Sequence, residues 1–138
     1  MITSTRKLVL RANAVYLGIA SIGAFLLLDL RGILFGAGPA GQILALAPHA
    51  GIGFVEAHGL AFILAVLLWH AQPVRYAHAT AAAVMGLLGV SNLVFWQLFS
   101  ATGMTVAGVI LTTLHLAFAA AQLLAASGPR ARAAIEGS

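Results

Sequence analysis

Cysteine is absent from the 138 residues. Disulfides, thiolate metal sites and cysteine nucleophiles are therefore excluded, and the redox compartment is left undetermined. Charge is scarce: Asp, Glu, Lys and Arg make up 7% of the chain, against about 25% in an average soluble domain. The acidic residues are Asp29, Glu56 and Glu136, too few for one chain to build a di-iron carboxylate site. HExxH, GxGxxG, Walker and GxSxG patterns are missing. No histidine lies three or four residues from another histidine, aspartate or glutamate. Ligands on one helix must share a face, so a metal site on a single helix is not expected. No internal repeat is evident, which weakens a transporter built from inverted halves. No known family is recognised in the chain.

What remains is apolar. Hydrophobic residues are 62% of the sequence, and the mean hydropathy is +1.03. Such a chain cannot cover a water-facing surface, so a membrane protein of one domain, residues 1–138, is expected. The sequence pI of 10.8 reflects few charges, seven basic against three acidic. The basic residues sit in tails and at span ends. They suit anchoring at a lipid bilayer and do not form the clustered face that nucleic-acid binding needs.

A bilayer core of about 30 Å takes about 20 helical residues. Four runs qualify, at about 8–30, 48–70, 78–99 and 104–126. Unbroken apolar character favours helices over barrel strands, which alternate every second residue. The expected fold is thus all-α, an integral membrane bundle of four transmembrane helices. The start resembles a signal peptide, but its apolar run is long and contains Arg11 and Asn13, so it reads as a retained first span. Arg6, Lys7, Arg11, Arg75, Arg130 and Arg132 fall on one side of this topology and Arg31 alone on the other. Both termini are therefore expected in the cytoplasm. Small size and topology suit a bacterial inner membrane.

The connection 31–47 then lies outside. Gly36–Ala37–Gly38–Pro39–Ala40–Gly41 reads as a flexible turn, and residues 43–47 as an apolar stretch that lies in the interface, re-enters, or forms a plain loop. The other connections are short, which predicts antiparallel packing of consecutive helices. Asp29 and Arg31 read as the stop that ends the first span.

Ionisable groups inside a span are costly and mark candidate sites. Glu56 and His58 lie in the second run and His115 in the middle of the fourth. Helical residues are spaced about 100° apart, so His58 is about 160° from Glu56 and the two cannot pair in a regular helix. An unwound turn near Gly59 would bring them together. A late start to this helix would instead place Glu56 near the outer interface. Polar groups on two sides call for a second helix, a wet cavity or a partner chain, which points to a homo-oligomer. His58 and His115 fall at nearly the same height on helices running the same way.

In the fourth span Gly108, Thr112, His115, Ala119 and Gln122 share a face; in the third, Asn92 shares one with Met85, Leu88 and Trp96. Lipid offers polar groups no partner, so Asn92, His115 and Gln122 are expected to point inward. Thr112 stands three residues from His115 as a local hydrogen-bond partner. Each polar residue also has a structural reading. The histidines, Asn92 and Gln122 can serve as interhelical glue. Trp69, Tyr76, Trp96 and Phe99 suit aromatic belts, as His49, His70 and His78 suit the interface. Arg11 is expected to snorkel to the headgroups. Gly32 and Gly36 match GxxxG, but at a span end beside a glycine-rich loop.

The leading expectation is an interior polar site, drawn from Glu56, His58, Asn92, His115 and Gln122, that binds a small ligand or handles protons. One alternative is a b-type haem protein with His58 and His115 as axial ligands, against which stands the lack of a basic pair for the propionates. Another is an accessory subunit of a larger membrane complex, without chemistry of its own. An enzyme using Glu56 and a histidine as acid and base on a lipid-soluble substrate is a further possibility. Whether the protein is an enzyme is not decided by the sequence.

Overall fold

The computed structural model describes residues 3–127, and every regular element among them is a helix. The first expected span begins earlier and ends later than its hydropathy implies. Helix α1 (Thr3–Ala24) continues through a π-helical turn (Phe25–Leu30) into α2 (Arg31–Phe35). Together they form one helix of 33 residues. Asp29 and Arg31 do not stop it. The stop is Gly36, whose left-handed φ of 60° lets its N–H reach back to the Gly32 carbonyl at 3.0 Å.

The connection expected to be a flexible turn is ordered instead. Helix α3 (Gly38–Leu46) carries Pro39 in its first turn, where a missing N–H costs nothing. It folds back onto the end of α2. A Cβ placed on Gly41 would come within 2.4 Å of the Gly36 carbonyl, and one on Gly32 within 2.7 Å of Ala40. The GxxxG glycines thus hold two segments of the same chain together. Composition read as flexibility was close packing.

Helix α4 (Ala50–His70) starts two residues after Pro48 and runs through Gly59 without unwinding. Helix α5 (Arg75–Val94) follows a short link. The third expected span was drawn to residue 99; the helix instead breaks at Phe95, and α6 (Trp96–Ala101) follows as a separate short helix. Helix α7 (Thr105–Ser127) completes the described chain. Arg130 and Arg132, part of the charge argument, lie outside the described residues, as does Glu136.

Four helices are long and apolar enough to cross a membrane: Thr3–Phe35, Ala50–His70, Arg75–Val94 and Thr105–Ser127. Named contacts fix their directions. Residues 11, 18 and 29 of the first helix meet residues 69, 65 and 58 of α4, so these two run antiparallel. Residues 9 and 16 meet 122 and 115 of α7, and residues 78 and 89 of α5 meet 122 and 116 of α7. Helices α4 and α7 therefore run the same way, opposite to α1 and α5.

The core is built from Leu10, Ala14, Leu17, Ala65, Leu68, Ala81, Met85 and Ala119. Half of these are alanines. Small side chains let backbones approach closely where hydrophobicity supplies little drive between helices. Gly89 shows the same economy, since a Cβ there would sit 2.7 Å from Leu116. Large apolar side chains such as Leu27, Leu60, Leu67, Leu87 and Leu124 face outward. This inversion fits a transmembrane helical bundle.

Candidate functional site

The sequence places Asp29 at a span end, yet it is 1% exposed. The π turn admits one extra residue in the helical path and carries Asp29 on the side facing α4. There Asp29 Oδ2 lies 2.7 Å from His58 Nδ1. A carboxylate can only accept, so Nδ1 carries the proton and donates it, which leaves Nε2 as the free ring nitrogen. The other oxygen, Asp29 Oδ1, is buried with no hydrogen-bond partner among the described residues. A buried polar atom in that condition is costly unless something donates to it. His58 is 28% exposed, so the pair is closed on the aspartate side and open on the histidine side.

The pair borders a cavity of about 280 Å³ between the π turn, α3, α4, α5 and α6. Its walls are mainly apolar and include Phe54, Phe95, Phe99 and Ile43. Ser91 and Asn92 border it from α5 and Thr102 from the turn after α6. Thr102 is committed to its own backbone, donating to the Leu98 carbonyl at 2.6 Å. Among the described residues, Asp29 and His58 are the only titratable side chains at the wall. The cavity exists because the chain breaks at Phe95 and Thr102 and because α3 folds back over the end of the bundle.

The five residues expected at the site divide among four places. His58 and Asn92 share this cavity. Glu56 is exposed and borders a separate groove with Pro48, Gly51 and Ile52. It does not meet His58, as the 160° separation requires. His115 is 8% exposed and stands edge-on to Tyr16, with ring centroids 5.4 Å apart. Gln122 is fully buried and bonds His78 Nδ1, while its amide donates to the Val9 carbonyl at 3.4 Å. His78 was expected at the interface but is fully buried. Thr112 does not serve His115: the Thr112 hydroxyl and His115 Nδ1 are both buried without partners among the described residues.

His58 and His115 thus stand in different surroundings. The first borders the cavity, whereas the second lies against Tyr16 outside it. Among the described residues, no three side chains from histidine, cysteine, aspartate and glutamate gather as metal ligands do. Arg11, expected to snorkel, lies over the Trp69 ring at 4.4 Å from its centroid, a cation–π contact that anchors one end of α1 to α4.

Asp29 and Ser91 are the site residues that sequence reasoning missed. Asp29 did carry a signal: it lines up with Arg11, Gly18, Ile22 and Phe25 on one face of the first span. A span-end assignment hid it, because Gly32 looks like a helix stop. Chemically, an imidazole oriented by a carboxylate can take up a proton at Nε2. Among the described residues, the hydrogen bond of that imidazole is to Asp29. Comparisons with protein-family models, with curated proteins and with solved structures found no match.

Proposed function

We propose that this chain is a small ligand-binding membrane protein whose site is the cavity beside Asp29 and His58. One observation carries the reading. A buried carboxylate, half satisfied by a histidine, stands at the wall of a mainly apolar cavity. A carboxylate in such a place is expensive to keep. Its presence is best explained by use. The π turn that presents Asp29 supports this, since such turns occur frequently at functional sites.

The ligand is a compact, mostly apolar molecule with one hydrogen-bond donor. The walls supply dispersion contacts, and Asp29 Oδ1 supplies the acceptor that fixes orientation. The protein lies in a bacterial inner membrane with both termini in the cytoplasm, as its charge distribution favours. The cavity then opens toward the outer end of the bundle. Glu56, exposed on another side of α4, is where a second copy would meet the chain.

Benzyl alcohol is a suitable first probe, read by the methyl resonance of Met104, which borders the cavity. In lipid nanodiscs the shift is expected to saturate and to vanish in Ser91→Phe, which fills the space. A shift that rises without saturation and is the same in Ser91→Phe means partition into lipid and contradicts the proposal.

A further inference from the structure

We infer that the ligand of this cavity is an organic ammonium cation, bound in competition with a proton on His58. The inference rests on the cavity being the binding site, and it adds the charge of the ligand. When His58 is neutral, it gives one hydrogen bond to Asp29 Oδ2 and no charge, so the site is net negative. Asp29 Oδ1 then remains as a buried anionic acceptor without a donor. A primary or secondary ammonium supplies both the missing donor and the missing charge, and a charge-assisted hydrogen bond is about twice as strong as a neutral one. Phe54, Phe95 and Phe99 border the same space, and aromatic rings attract a cation rather than an anion to their faces.

When His58 is protonated, it neutralises Asp29 itself, and a second cation meets a like charge. Proton and ligand therefore exclude each other. Among the described residues, no other titratable group borders the cavity. Arg31 and Glu56 are exposed, and Glu56 borders a different groove. Helices α3 and α6 contain no titratable residue. Helices α5 and α7 contribute none to the wall, since His78 bonds Gln122 and His115 lies against Tyr16.

The test compares benzylamine with benzyl alcohol by equilibrium dialysis against protein-loaded and empty nanodiscs. Benzylamine keeps its charge near neutral pH, as alkylamines do. The inference expects benzylamine to bind at least about tenfold more tightly, a difference of about 1.4 kcal/mol. Its affinity should fall by up to about tenfold per pH unit once His58 becomes protonated, the slope for one displaced proton. Asp29→Asn should abolish the preference for the amine over benzyl alcohol. His58→Gln should flatten the pH dependence of amine binding. Equal saturable binding of both probes overturns the inference and leaves the binding site standing. Saturable binding of neither overturns both.

Discussion

Removing the His58 ring tests the energetics of the pair directly. Asp29, 1% exposed, loses in His58→Ala the one donor it has among the described residues. Leaving a buried acceptor without its donor costs about 1–3 kcal/mol, and more when the acceptor is charged. His58 is 28% exposed, so some water can follow the truncation, and a cost of about 3 kcal/mol is expected. Replacing both members, Asp29→Ala with His58→Ala, removes the stranded charge. The double variant should therefore lie closer to the wild type than the sum of the singles, with a coupling of about 1.5–3 kcal/mol. Unfolding in mixed micelles, followed by the fluorescence of Trp69 and Trp96, reports the differences. Additive single costs would refute the reasoning.

Other substitutions probe the scaffold and its placement. Gly41→Ala should cost about 1–3 kcal/mol in the same assay, because its Cβ would strike the Gly36 backbone at 2.4 Å. Gly59→Ala, with nothing within 4 Å of the new atom, should be neutral or stabilising by up to about 1 kcal/mol. Gln122→Leu leaves His78 buried without its acceptor and should cost about 1–3 kcal/mol. Asn13 is fully buried with both side-chain polar atoms unpartnered, so Asn13→Leu should be neutral or stabilising. Because the chain has no cysteine, single cysteines report topology without background. In intact cells an impermeant thiol reagent should label Gln42→Cys and spare Ser4→Cys.

The fold was legible where hydropathy alone decides. Four apolar runs became four long helices, and their directions follow from short connections. Boundaries were misread where two forces act on one residue. Gly32 and Gly41 look like turn formers, yet they are small because α2 and α3 touch through them. Asp29 looks like an aqueous anchor, yet a π turn directs it to α4. No periodicity argument anticipates that turn, since it changes the period itself. His78 was misplaced for a related reason: depth along a span gives the solvent a group prefers, not the partner it finds. Gln122 lies 44 residues from His78. His58, by contrast, stands out in the chain alone, because a histidine well inside an apolar helix needs a partner, and here that partner is Asp29.

The decisive measurement is the nitrogen NMR spectrum of the histidine side chains in nanodiscs, for the wild type and for Asp29→Asn. His58 should show a protonated Nδ1 in a strong hydrogen bond, and Asp29→Asn should move that ring alone while His78 and His115 keep their positions. A His58 resonance unchanged by Asp29→Asn would mean that the two side chains do not meet, and the proposed site would fall with them.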